Sequence, residues 1–201
     1  MRPELVETLA WSKQGDLLPV IVQDADSLRV LMLGYMDRAA LRATLESGRV
    51  TFFSRSRQRL WVKGESSGNQ LALVAIEADC DSDTLLVRAR PAGPTCHLGT
   101  KSCFPLAPGD VLAELDRLVA DRARERPAES YTTRLFEAGT RAIAQKVGEE
   151  AVETALAAVA QDDAALLGEA ADLLFHLVVL LRSRGLSLKQ VEAVLEARQR
   201  R

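Results

Sequence analysis

The sequence predicts an α+β N-terminal domain with a mostly antiparallel sheet, followed by an all-α helical-bundle C-terminal domain. Three observations predict it. Short apolar runs, partly β-branched, recur through the first half. From Val111 onward no strand pattern appears and helices are expected instead. Between the halves, two prolines and a glycine cluster in Phe104-Pro105-Leu106-Ala107-Pro108-Gly109-Asp110 and mark a linker. The expected domains are 1–107 and 108–201.

In chain order, a short helix is expected from Glu4 to Ala10 and a turn at Gly15-Asp16. Val20-Ile21-Val22 and Val30-Leu31-Met32-Leu33, split by the polar Asp24-Ala25-Asp26-Ser27, read as a hairpin. Asp37 can cap a helix that runs to about Ser47, with Gly48 just past its end. Val50 to Phe53, Leu71 to Ile76 and Thr84 to Arg90 read as further strands. In the second half, helices are expected at about 110–125, 131–138, 140–160, 163–183 and 187–199. Ser130, Asp162 and Ser187 supply the caps, and Gly139 and Gly185 the breaks.

Composition narrows the function classes. The net charge of −2 argues against a general nucleic-acid binder. No run reaches transmembrane length, and Met1-Arg2-Pro3-Glu4 lacks the layout of a secretory signal. A soluble, cytoplasmic protein is expected, without a membrane partner.

The chain has three cysteines, Cys80, Cys96 and Cys103. An odd count without secretion signals argues against a disulfide framework. Singly, such cysteines are usually buried small hydrophobes, and an Asp-rich turn such as Asp79-Cys80-Asp81-Ser82-Asp83 is usually a solvated loop. Together they point to two metal sites. On an extended chain Asp79, Asp81 and Asp83 would line one face and Cys80 the other. Hard carboxylate oxygens suit Mg²⁺, and soft thiolates suit Zn²⁺. Three thiolates leave a fourth zinc position open, the catalytic arrangement. His97, beside Cys96, has a pKa near working pH and is the candidate general base. The connection from Ser54 to Asn69 packs Arg55, Arg57, Arg59, Lys63, several hydroxyls and two glycines together. It is either a solvated basic loop or a phosphate site.

These blocks, with Leu33-Gly34-Tyr35-Met36, Leu60 to Gly68 and Cys96 to Phe104, resemble phosphoribosyl-AMP cyclohydrolase of histidine biosynthesis over about residues 15–104. Many members have Thr at the position of Ser66 and His at that of Asn69; Ser66 keeps a hydroxyl, whereas Asn69 cannot titrate. The resemblance implies zinc held by Cys80, Cys96 and Cys103, shared across a homodimer interface with Cys80 from one subunit. It implies Mg²⁺ held by Asp79, Asp81 and Asp83. The reaction adds water at C6 of an N1-substituted adenine and opens the N1–C6 bond, and zinc lowers the pKa of its water for that attack. Arg55, Arg57, Lys63, Ser66 and Ser67 would bind the substrate.

In the second half Lys146, Glu149, Glu150 and Glu153 fall within one arc of about 100° on a helix. Glu169 and Asp172 share a face of the next, with His176 one turn on. Facing carboxylates are how bundles hold divalent cations. The surrounding run is so apolar that Asp172 is not expected to be merely solvated. For His176, a buried structural role and a functional one stand level. With Ser130-Tyr131-Thr132, these residues resemble phosphoribosyl-ATP pyrophosphohydrolase, an all-α nucleoside-triphosphate pyrophosphohydrolase, over about 110–199. The resemblance implies Mg²⁺-assisted attack of water between the α- and β-phosphates. Glu149, Glu150, Glu153, Glu169 and Asp172 would hold the metal, and Ser130, Thr132 and Lys146 would contact substrate. One of these carboxylates would act on the water; Glu150 is expected to be catalytic, while the sequence leaves open which of them activates the water. Two rivals remain: hydrolases of other nucleotides, which substrate profiling separates, and a non-catalytic metal-binding scaffold, which turns nothing over.

Overall fold

The N-terminal sheet is built outward from its first strand. In the computed structural model, which describes residues 5–200, β1 (Leu18–Asp24) pairs antiparallel with β2 (Val30–Met36). The turn between them is closed by Asp24, whose buried Oδ1 accepts from Asp26 N and Ser27 N at 2.9 Å each. Next come α2 (Arg38–Ser47), β3 (Thr51–Ser54), β4 (Arg59–Val62), β5 (Leu71–Ala78) and β6 (Leu85–Pro91). β6 returns to lie parallel to β1, and β5 pairs antiparallel with β6, giving the order β2-β1-β6-β5. The sheet is therefore mostly antiparallel, with one parallel junction.

Alternation decides the core face. Leu18, Val20 and Val22 on β1 and Leu85, Val87 and Ala89 on β6 are fully buried. Trp11, Leu41 and Phe52 pack in the same cluster. α2 begins where expected: Asp37 accepts from Ala40 N at 2.7 Å, and Gly48 ends it at φ 67°. Thr44 Oγ1 then accepts from Thr51 N at 2.9 Å, joining α2 to β3.

Three expectations need correction. Residues 54–69 are not one connection, because β4 pairs antiparallel with β3 across a turn at Gln58. The cations flanking Leu60-Trp61-Val62 hid the strand. The expected first helix is only α1 (Leu5–Thr8), followed by a 3-10 turn at Trp11–Gln14; its expected start at Glu4 lies outside the described residues. The stretch Asp79 to Asp83 is not extended: it is a turn with Ser82 at φ 62°.

The chain divides into compact units between Asp110 and Val111. Residues 107–110 belong to the first unit. Arg29 donates to the Ala107 carbonyl, and Asp110 N donates to Ser27 O at 2.8 Å.

The second unit contains α3 (Val111–Glu125), α4 (Tyr131–Ala160), α5 (Asp163–Ser183) and α6 (Leu188–Gln199). Val119, Leu135, Ile143, Val178 and Val179 form its core. Beside them the buried Asp116 accepts from Arg182 Nε at 2.7 Å. α4 contains the expected break: Gly139 sits at φ 85°, ψ 168°, so two helical segments meet there. By length and composition alone α5 could cross a membrane, with a mean hydropathy of 1.9. The sequence reading missed this because Glu169 and Asp172 interrupt the apolar run without outweighing it.

Gly34, in β2, tests the packing. A Cβ there would lie 2.4 Å from the ring of Phe52, which is 1% exposed and has no room to retreat. Gly34→Ala is expected to lower unfolding stability by about 1–3 kcal/mol, measured by urea denaturation.

Candidate active sites

The β5–β6 turn gathers Asp79, Asp81 and Asp83, whose oxygens lie within 4.8 Å of one another. They come together because the turn curls, not by strand alternation. Asp79 Oδ1 accepts from Asp83 N at 3.0 Å and Thr84 N at 3.1 Å. Lys13 Nζ reaches Asp81 Oδ2 at 2.9 Å, and Gln14 Nε2 reaches Asp83 Oδ2 at 3.3 Å. The bond from Lys13 holds the Asp81 carboxyl below its ordinary range, and the same bond raises the lysine. Lys13 was not foreseen: it stands 68 residues away, and the parallel β1–β6 junction brings it there.

The thiols divide into two places. Cys80 is exposed on the carboxylate turn. Cys96 and Cys103 lie on the loop after β6, which runs beside β2: Cys103 N donates to Leu31 O at 2.8 Å, and Ser102 Oγ to Val30 O at 2.7 Å. Backbone donation from Leu98, then the Thr100 hydroxyl, holds the Cys96 thiol down. Burial and the neighbouring Cys96 push Cys103 up. The exposed His97 has Nδ1 3.9 Å from Cys96 Sγ. Among the described residues, the metal-competent groupings within one chain are of carboxylates and do not include the three thiols.

Around the β3–β4 hairpin lies a cavity of about 420 Å³, lined by Arg57, Trp61, Lys63, Ser66 and Ser67 among others. Arg55 is not in its lining; its guanidinium lies 3.9 Å from the centre of the Tyr35 ring. Glu65, also at the cavity, accepts from Arg59 at 3.0 Å and from Val62 N at 3.2 Å, and the arginine keeps its pKa low.

In the second unit Glu150, Glu169 and Asp172 bring oxygens within 4.8 Å of one another. Glu150 is buried, Glu169 half-buried and Asp172 exposed. The apolar surroundings of Asp172 in sequence therefore do not bury it. Glu149 and Glu153 are exposed and outside this group. Glu149 instead accepts from Lys146 at 2.9 Å and Gln145 at 2.8 Å, which holds its pKa down, while both glutamates at 149 and 150 hold the Lys146 pKa up. Lys146 Nζ stands 3.0 Å from Glu150 Oε1. Ser130 caps α4, accepting from Thr133 N at 3.4 Å, and Thr132 is buried at the same end.

Sequence reading also missed a link across this unit. His176, buried, lies 3.6 Å from Glu150 Oε1 and 3.1 Å from the Tyr131 hydroxyl. On a straight helix Tyr131 and Glu150 would stand roughly 28 Å apart. The Gly139 break lets the start of α4 and the middle of its second segment approach one imidazole. The sequence signal for this link is Tyr131 itself, set between the two hydroxyl residues Ser130 and Thr132.

The family profile of phosphoribosyl-AMP cyclohydrolase matches residues 32–105, and that of phosphoribosyl-ATP pyrophosphohydrolase matches residues 112–199. The histidine biosynthesis bifunctional protein HisIE of Xanthomonas axonopodis pv. citri is 70% identical over 95% of this chain and 93% of its own length. That of Escherichia coli K12 is 57% identical over 91% of each, and that of Campylobacter jejuni 52% identical over 97% of this chain and 96% of its own.

Gly64 shapes the cavity. It sits at φ 84°, and a Cβ would meet the Asn69 carbonyl at 2.3 Å. Gly64→Ala adds backbone strain of about 1–3 kcal/mol. It is expected to weaken binding of a ribose-phosphate nucleotide by about tenfold or more, read by calorimetric titration.

Proposed function

This chain belongs to the bifunctional histidine-biosynthesis proteins, in which a phosphoribosyl-AMP cyclohydrolase precedes a phosphoribosyl-ATP pyrophosphohydrolase, and from that premise we propose how its residues divide the work. The helical unit hydrolyses phosphoribosyl-ATP to phosphoribosyl-AMP and pyrophosphate. The N-terminal unit then opens the adenine ring of phosphoribosyl-AMP between N1 and C6. The observation that carries this reading is that both family matches lie on one chain, each in a unit with its own carboxylate cluster.

In the cyclohydrolase unit we assign Cys96 and Cys103 of one protomer, with Cys80 supplied by a second copy, to a zinc site. The soft donor set fits that metal, and the separation of Cys80 from the other thiols within one chain supports sharing. When bound, zinc supplies a water-derived nucleophile at neutral pH. His97 takes and returns the proton during addition at C6. Arg57, Lys63, Ser66 and Ser67 at the cavity hold ribosyl phosphate, with Arg55 behind them on Tyr35. The hard oxygens of Asp79, Asp81 and Asp83 fit Mg²⁺, which neutralises phosphate charge when bound.

In the pyrophosphohydrolase unit Glu150, Glu169 and Asp172 form the core of a Mg²⁺ site, with Glu149 and Glu153 flanking it. Mg²⁺ there would offset charge developing on the leaving pyrophosphate. Glu150, buried among these groups, is the candidate to orient the attacking water. Lys146, Ser130 and Thr132 contact phosphate or ribose.

A homodimer in the cytoplasm completes the proposal. Leu33, opposite Ile21 on the outer sheet face, is 47% exposed. Val152, Leu156 and Val159 form a second exposed apolar stripe on α4. A second copy would cover such surfaces.

Product analysis tests the whole reading. Incubation with phosphoribosyl-ATP, Mg²⁺ and Zn²⁺ should yield pyrophosphate and the ring-opened ribotide; no turnover would return the reading to other nucleotides. Cys96→Ser is expected to cut ring opening by roughly 100-fold or more, since even partners of a ligand are worth 10–100-fold, while sparing pyrophosphate release. Glu150→Gln is expected to do the reverse. Sedimentation equilibrium should give twice the chain mass, and a monomer at micromolar concentration would remove the shared zinc site.

A further inference from the structure

His176 has no part in the assignments above, yet it is 4% exposed and stands beside the carboxylate cluster. Its Nδ1 lies 2.9 Å from the Asp172 carbonyl oxygen and 3.6 Å from Glu150 Oε1. A carbonyl and a carboxylate only accept, so Nδ1 carries the ring proton. The hydrogen bond goes to Asp172 O. At 3.6 Å, Nδ1–H acts on Glu150 through its charge distribution. In the neutral ring Nε2 is then an acceptor, and the Tyr131 hydroxyl, 3.1 Å away, donates to it. Phe175 at 5.1 Å and Tyr131 at 6.1 Å flank the imidazole edge-on and hold its plane.

We propose that His176, oriented by Tyr131, is a positioning residue that keeps the Glu150 carboxylate in the geometry a divalent cation requires. The proposal rests on the assignment of Glu150 to the metal site. Glu150 is buried and faces Glu169 and Asp172 within 4.8 Å, so its oxygen is repelled from the place where the cation must find it. Lys146 opposes that repulsion but is shared with Glu149. The Nδ1–H dipole is aimed from α5. The Asp172 carbonyl selects that tautomer, since the other would set a nitrogen lone pair against it and against the Glu150 oxygen, and the Tyr131 hydroxyl fixes the ring from its far side. The start of α4, which carries the proposed substrate hydroxyls, is thereby tied to the cation site.

The test uses amide variants of the full chain. In His176→Asn the amide nitrogen can stand near Nδ1. In His176→Gln it stands near Nε2, so the Tyr131 contact survives and the N–H beside Glu150, bonded to the Asp172 carbonyl, is lost. Mn²⁺ binding, followed by electron paramagnetic resonance, identifies the site as the equivalent lost in Glu150→Gln. His176→Gln and Tyr131→Phe are expected to weaken that equivalent and to lower kcat for pyrophosphate release by about 10–100-fold, with KM for phosphoribosyl-ATP changed far less. His176→Asn keeps the Nδ1-side donor but not the Tyr131 contact, so it should be impaired no more than Tyr131→Phe and clearly less than His176→Gln. If Glu150→Gln loses an equivalent and His176→Gln does not, the positioning role alone is overturned. If Glu150→Gln loses none, the metal assignment falls and this proposal with it. If both amide variants lose binding equally along with melting temperature, His176 is packing only and the proposal is wrong.

Discussion

Like charges held close together are the constraint on which both units turn. Each unit crowds three carboxylates within 4.8 Å, and two unit charges 4 Å apart near a protein surface interact by about 4 kcal/mol. The N-terminal unit answers with a curled turn whose own amides feed Asp79, and with Lys13 and Gln14 brought over from the other end of the fold. The helical unit answers with Lys146, one turn before Glu150, and with an imidazole from the facing helix. In each, one partner arrives from a place dictated by topology: Lys13 across the β1–β6 junction, and His176 from the facing helix.

Backbone exceptions make these meetings possible. Gly139 interrupts a helix that would otherwise hold Tyr131 and Glu150 apart. Gly64 lets the chain turn tightly against Asn69, so that Lys63, Ser66 and Ser67 face one cavity. Ser82 accepts a left-handed conformation inside the carboxylate turn, and its carbonyl receives Ala10 N at 2.8 Å. The strain lies beside the chemistry, where close approach of groups matters most.

Much of this was legible in the sequence, and the reasons are local. Asp37 and Gly48 around α2, Asp162 before α5 and the break at Gly139 are signals carried by one or two residues, and they held. Strand β4 was hidden because its charged neighbours match a phosphate loop as well as a hairpin. The grouping of Asp79, Asp81 and Asp83 was foreseen through the wrong geometry: side-chain alternation and a curled turn both gather them. Lys13 and the exposure of Asp172 were out of reach, and Tyr131 could be marked in Ser130-Tyr131-Thr132 but not paired with His176, since each depends on which elements meet across long stretches of chain. The acidic arc at 146–153 overstated its group, because helical phase says which residues share a face but not which one turns inward.

The parallel pairing of β1 with β6 also bears on how the protein is made. Val20 is registered with Leu85, 85 − 20 = 65 residues later. At ordinary synthesis rates those residues take roughly 3–13 seconds to appear. Throughout that interval the β1–β2 hairpin has an open edge and an apolar face without its neighbour. The helical unit also closes over a long stretch, since Asp116 waits 66 residues for Arg182, but each of its helices forms its own hydrogen bonds locally as it emerges. What the first unit exposes while it waits is different in kind: an unpaired strand edge, which a second chain can occupy before β6 arrives.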